Sequence, residues 1–268
     1  MHKKSEIIFR LKELEKELGR RPVKTDSPSL YTLSRKYFGT WNNMMTEAGY
    51  QCKLFQIPVT PKEITSDLSY FLGLMSTDGH IQVIKQRWLY RVMMYTSEKE
   101  EVEMILNIIK KLFSYTASVR ARKTGFSKRP NYEIYISSKK IALFLNSLGI
   151  PIGAKSYNLL VPKMFFENKQ EYFWDYLRGV FDGDGSIVFS NNNFSFKISS
   201  GSVRFLEGIN KILIEKGFKN FKISKQDEYV WILRTNIKEN IKQLYSCIYN
   251  NSSFFYPRKQ LKWSKQYI

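Results

Sequence analysis

The sequence contains only two cysteines, Cys52 and Cys247, far apart and in no C-x-x-C spacing, and only two histidines, His2 and His80. That scarcity argues against a disulfide-stapled scaffold and against a zinc site, and makes a reducing intracellular compartment the default. No run of 18 or more uncharged apolar residues occurs, so no membrane span is expected. The opening "MHKKSEIIFRLKELEKELG" mixes acidic residues into an amphipathic pattern, unlike a signal or transit peptide. Acidic residues are scarce too: 24 Asp and Glu face 43 Lys and Arg, for a formal charge of +19. Such an imbalance points to a polyanionic partner. A genome whose codons favour Lys, Ile, Asn, Tyr and Phe is the other source of it.

What is present is a repeat. Residues 70–81, "YFLGLMSTDGHI", and 176–187, "YLRGVFDGDGSI", share the pattern Y-x-x-G-x-x-x-x-D-G-x-I at an offset of 106 residues. Each reads as an apolar helix ending on an Asp, Asp78 or Asp184, where the helix dipole is partially negative and a carboxylate is disfavoured by roughly 0.3–1 kcal/mol. Alternating strands and amphipathic helices follow each copy in one order, so each half reads as α-β-β-α-β-β-α. The fold class expected is α+β, with two tandem repeats related by a pseudo-twofold. Gly179 and Gly183, like Gly73 and Thr77, lie four residues apart on one helical face, which suits two helix backbones in close approach. Packing those helices together brings Asp78 and Asp184 side by side. Two facing carboxylates repel, and Mg²⁺ or Mn²⁺ with a phosphate ligand resolves the conflict in the manner of phosphodiester hydrolysis.

Residues 1–50 read as three short helices, the first over about 3–18 closed by Gly19 and the third closed by Gly49, in the style of a helix-turn-helix module. Residues 51–63 carry Pro58 and Pro61 and read as a linker, followed by repeats over 64–160 and 161–268. The run from "LEKELGRRPVKTD" to "WNNMMTEAGY" resembles the homing-endonuclease-associated repeat, a small DNA-binding module, through Gly19-Arg20-Arg21-Pro22, Phe38-Gly39-Thr40-Trp41-Asn42 and Ala48-Gly49. A helical cap on the main domain is the other reading. If the segment binds DNA, Arg20, Arg21, Lys24, Arg35 and Lys36 are its expected contacts.

"FLGLMSTDG" and "LRGVFDGDG" resemble the paired motifs of a single-chain, two-motif LAGLIDADG homing endonuclease. The first copy departs from the motif at Ser76 and Thr77, where the family has Asp-Ala. The resemblance implies that Asp78 and Asp184 bind catalytic metal, with Thr77 and Gly183 supplying nearby backbone carbonyls. It implies two four-stranded antiparallel sheets forming a saddle over double-stranded DNA, Mg²⁺ or Mn²⁺ as cofactor, and Ca²⁺ supporting binding without turnover. It also places a basic residue of each half near the scissile phosphates, for which Lys155 and Lys259 are the candidates. The implied enzyme makes a staggered double-strand break in a long asymmetric target, acting as a monomer in a bacterial, phage or archaeal cytoplasm or an organelle.

On the expected sheet faces, alternation separates Phe194, Phe196 and Ile198 from Ser195, Lys197 and Ser199, and Val119 and Ala121 from Ser118, Arg120 and Arg122. Gln82, Arg91, Arg120, Arg122, Lys197, Lys222, Lys225 and Arg234 are candidate DNA contacts on these strands. His80 reads as a strand residue. A non-cleaving DNA-binding regulator and an RNA-splicing maturase are the alternatives on the same scaffold.

Overall fold

The computed structural model describes residues 2–51, 56–122, 131–190 and 193–264. The chain divides into two compact units, Met1–Phe55 and Gln56–Ile268.

The first unit contains α1 (His2–Leu18), α2 (Pro28–Phe38) and α3 (Trp41–Glu47) around a small core of Ile7, Leu11, Leu30, Phe38, Met44 and Met45. Local chemistry sets the helix ends. Ser27 Oγ accepts from Leu30 N and Thr40 Oγ1 from Asn43 N, the usual N-cap arrangement. Gly39 stops α2 with a φ of 78°, in the region a side chain disfavours.

The second unit opens with α4 (Ser66–Thr77), β1 (Gly79–Ile84), β2 (Leu89–Thr96), α5 (Lys99–Phe113), β3 (Ser118–Arg122), β4 (Asn131–Ser137) and α6 (Lys139–Ser147). A short α7 (Met164–Glu167) leads into α8 (Phe173–Asp184), β5 (Gly185–Ser190), β6 (Asn193–Ser200), α9 (Val203–Glu215), β7 (Lys222–Lys225), β8 (Trp231–Thr235), α10 (Lys238–Tyr249) and a terminal α11 (Pro257–Ser264). The expected αββαββα order is present twice. Each half has one antiparallel four-stranded sheet, ordered β1-β2-β4-β3 and β5-β6-β8-β7. One face of each sheet is packed by helices: Ile81, Val92, Met94, Ile134 and Ile136 in the first, Ile187, Phe196, Ile198 and Leu233 in the second, all 2% exposed or less.

Part of the expected linker lies against the second unit: Gln56 pairs with the Thr116 backbone, Val59 N donates to Phe113 O and Lys140 Nζ donates to Pro58 O. Residues 52–55, Cys52 among them, lie outside the described residues. One reading needs correction. Alternation at Val119 fails to bury it: the residue lies on the helix-facing side of β3, yet it is 40% exposed because β3 is an edge strand.

Candidate functional site

The centre of the second unit is the crossing of α4 and α8. Thr65 caps α4, its Oγ1 accepting from Leu68 N, and Ser66 Oγ reaches across to Asp175 Oδ1 at 2.6 Å. A Cβ on Gly73 would overlap the carbonyl of Tyr176, and one on Gly179 the carbonyl of Tyr70. The two helix backbones therefore touch, and no side chain larger than hydrogen fits between them at either position. Tyr70 and Tyr176 each send a hydroxyl to the sixth motif position of the opposite helix: Tyr70 donates to Asp182 Oδ2 at 2.8 Å, and Tyr176 pairs with Ser76 Oγ at 3.0 Å.

This crossing brings the C-terminal ends of both helices together. Asp78 caps α4 and Asp184 ends α8. A Cβ on Gly183 would meet Asp78 Oδ2 at 3.1 Å, so the first half's carboxylate lies against the second half's motif. Burial, then the charge of Asp184, pushes the Asp78 carboxyl up to about 7. Asp184, whose side chain still reaches solvent, is also raised, by loss of hydration. The pair is short of positive charge.

Two lysines supply part of it. Lys155 Nζ donates to Met75 O at 2.7 Å and Thr77 O at 2.6 Å, and Lys259 Nζ donates to Gly183 O at 3.3 Å and to Gly185 O. Each ammonium thus sits on free carbonyls at its own motif helix's end, where a cation is favoured. Burial lowers both, Lys155 to about 8. The Thr77 and Gly183 carbonyls are therefore already engaged by the lysines, with one lone pair each left for another partner.

The donor set facing this centre is entirely oxygen: two carboxylates and two carbonyls. Among the described residues no group of three or more His, Cys, Asp and Glu could hold a metal. Such a set fits a hard divalent cation that keeps water and phosphate ligands, and does not fit zinc.

Strand register sorts the candidate sheet contacts. Gln82 pairs with Arg91, and Arg120 with Glu133, on the face opposite the helices; Arg91 and Arg120 lie over the Tyr135 ring at 5.0 and 4.6 Å. In the second sheet Lys197, Arg234 and Lys222 occupy one cross-strand row. Lys225 is a correction: it lies three residues from Lys222, pairs with Trp231 and so belongs to the opposite face. Arg122 ends β3, and its side chain lies outside the described residues. His80 sits in β1 on the same face as Gln82.

In the first unit, Arg20 is held bidentately by Asp26 at 2.9 Å, which closes the turn before α2, and Arg21 donates to Gln51 O at 3.0 Å. Lys24, Arg35 and Lys36 are exposed. Arg20 thus has a structural role in closing that turn, with half of its side chain still exposed.

Sequence reasoning missed three features. Asp182 is fully buried and accepts from Tyr70 Oη, Tyr249 Oη and Tyr256 N, and its partners other than Tyr70 come from the distant C-terminal segment. Arg178, also buried, holds the carbonyls of Ile248 and Phe254. Trp88, 79% exposed at the β1–β2 tip, stands at φ 50° beside Lys139. A lone Asp or Trp carries no sequence sign of such a setting.

Comparison with known proteins agrees with this architecture. Residues 174–249 match the LAGLIDADG-like domain family, and residues 3–51 match the homing endonuclease associated repeat. With its two motif helices crossing on glycine and ending in paired aspartates beside two antiparallel sheets, the chain has the LAGLIDADG fold, and its first unit is similar to the homing endonuclease associated repeat. Mesophilic variants of the homing endonuclease I-DmoI superpose with a TM-score of 0.55 at 16% identity, covering 74% of this chain and 96% of theirs. The homing endonuclease I-WcaI, bound to its DNA recognition sequence, gives 0.54 at 15% identity, covering 74% of this chain and 85% of its own. Among curated proteins, an uncharacterized protein of Methanocaldococcus jannaschii is 26% identical over 221 residues, 77% of this chain and 23% of that protein. A probable translation initiation factor IF-2 of the same organism is 27% identical over 180 residues, 66% of this chain and 13% of the factor. The chain thus spans about a quarter or less of these curated relatives.

Proposed function

We propose that the protein is a site-specific, metal-dependent DNA endonuclease that breaks both strands of a long asymmetric target. The observation that carries the reading is the placement of Asp78 and Asp184 at the abutting ends of α4 and α8, both carboxyls raised, each helix end bearing a lysine. Asp78 and Asp184, with the free lone pairs of the Thr77 and Gly183 carbonyls, would hold Mg²⁺ or Mn²⁺. The bound cation would activate water and neutralise charge on the leaving oxygen. Lys155 and Lys259 steady the helix ends and place positive charge beside the incoming phosphates. Arg91, Arg120, Lys197, Arg234 and Lys222 face away from the core, where they can meet a duplex.

Solved relatives support the partner and the cofactor. I-DmoI has been determined in complex with DNA and Mn, and with DNA and Ca. The curated relatives include a translation factor, a ribonucleoside-diphosphate reductase subunit and an RNA polymerase subunit, matched over only 13–18% of their lengths. Their unrelated roles favour a module that is independent of any of them.

Selection of cut sites from a random duplex library in Mg²⁺, alongside Asp78→Asn and Asp184→Asn, tests the reading. One enriched asymmetric site, cut by the wild type and by neither variant, is the expected result. Tight duplex binding with no cutting in Mg²⁺ or Mn²⁺ would favour a regulator, and preference for a structured intron RNA would favour a maturase.

A further inference from the structure

We infer that Glu101 and Arg258 are a positioning pair through which the first half of the second unit holds Lys259 of the second half in place. Only its consequence for DNA cleavage rests on the nuclease reading above. Lys259 is the third residue of α11, and the residues just before it are anchored on two sides. From its own half, Tyr256 N donates to Asp182 Oδ2 at 2.8 Å. From the other half, Arg258 Nε donates to Glu101 Oε1 at 2.5 Å.

Glu101 is suited to act as a fixed post. It lies in the first turn of α5, where a carboxylate complements the helix dipole, and it is 1% exposed. Its other oxygen accepts from Thr96 Oγ1 at the end of β2. Strand and helix of the first half thus fix the carboxylate independently of α11. A carboxylate so buried requires a partner, and Arg258, half exposed, is the one supplied from across the molecule.

Lys155 is braced the other way round, and by neutral groups. Four residues beyond it, Leu159 O accepts from Ser202 Oγ of the second half at 2.7 Å, and the Ser156 carbonyl lies so close to Gly201 that a Cβ there would approach it to 2.7 Å. Each lysine-bearing segment leans on the other half's turn between second strand and following helix. Only the Lys259 brace is ionic. Removing charge at Glu101 or Arg258 should therefore loosen Lys259 and leave Lys155 as it was.

The test uses full-length wild type, Glu101→Gln and Arg258→Gln, with the double charge reversal E101R/R258E as rescue. Brief acetylation with an N-hydroxysuccinimide ester, read by mass spectrometry, gives the relative reactivity of Lys259 and Lys155. Lys259 should react at least about threefold faster in each single variant, as local opening exposes it, while Lys155 changes little. The double reversal should slow it again. If both lysines speed up together, or Lys259 does not change, the inference is wrong; a general loss of stability would produce the first of these. On a duplex labelled on each strand, cutting by the second-half site should slow about 10- to 100-fold and nicked product should accumulate, because a misplacement of about 1 Å costs up to about 100-fold in rate. If the wild type does not cut DNA, the nuclease reading falls, and the ratio of lysine reactivities still decides this one.

Discussion

In the first sheet Arg91 and Arg120 flank the ring of Tyr135, whereas in the second Lys197, Arg234 and Lys222 follow one another across three strands with no aromatic residue in the row. Like charges directly opposite on a sheet repel. The first face has no such pair, since Arg91 lies between Gln82 and Ser137 and Arg120 lies opposite Glu133, and it stacks both guanidiniums on an aromatic ring; the second leaves its repulsion to an anion. At the helix ends the halves agree instead: Gly73 with Gly179, Tyr70 with Tyr176, Asp78 with Asp184, Lys155 with Lys259. Backbone contact tolerates one geometry, as would the metal chemistry proposed for the centre, while a surface proposed to meet a base sequence is free to differ between halves. On the proposed function, a nearly twofold centre would then serve an asymmetric target.

The sharpest test of that symmetry is at the centre. Asp78→Asn and Asp184→Asn should each reduce double-strand cleavage by on the order of 1000-fold or more with target affinity nearly kept, since on the proposed function each would remove a metal ligand. Full cleavage by either variant would make the halves inequivalent where they look most alike. Next come the glycines. Gly73→Ala and Gly179→Ala should each cost about 3 kcal/mol or more in denaturant unfolding, because the new methyl meets backbone rather than a movable side chain. A mild effect at one alone would show that the crossing is not shared equally.

Removing residues 1–55 should leave the cut position unchanged and lower affinity by about 10- to 100-fold, with a footprint shortened at one end, if the exposed Lys24, Arg35 and Lys36 contact flanking phosphates. An unchanged footprint would assign all DNA contact to the two sheets.

A pH test separates the carboxylates from the lysines. Folding raises Asp78 to about 7, above the carboxylate's unfolded value of about 4. The fold therefore favours the neutral acid, and the cost of ionising Asp78 is absent below about pH 4 and complete above about pH 7. In excess chelator Asp78→Asn should melt a few degrees higher than wild type above pH 7, and the gap should close as pH falls toward 4. Equal melting curves across that range would show that the carboxylate is not strained without a cation. The smallest effect expected is at Trp88: Trp88→Ala should weaken duplex binding only a few-fold, read by titration, since one edge aromatic stacks on at most one base or sugar.

Much of this was legible in the sequence because it is local. Period-2 and period-3.6 patterns fix strands and helices wherever one face is buried, and the repeat at 106 residues marked both motif helices, their glycines and their terminal aspartates. Net charge indicated a polyanion before any fold was known. What tertiary structure alone decided depends on residues far apart in the chain or at the margin of a sheet. The register that pairs Lys222 with Arg234 and Lys225 with Trp231 settles which of the two lysines faces away from the helices, and Val119 stays exposed because β3 is the edge of its sheet. Arg20 is occupied because a turn returns Asp26 to it. Asp182 gathers donors 67 to 112 residues away, and Glu101 meets Arg258 at a separation of 157. Neither periodicity nor motif spacing encodes such pairings, since only the packed core brings those side chains within reach of one another.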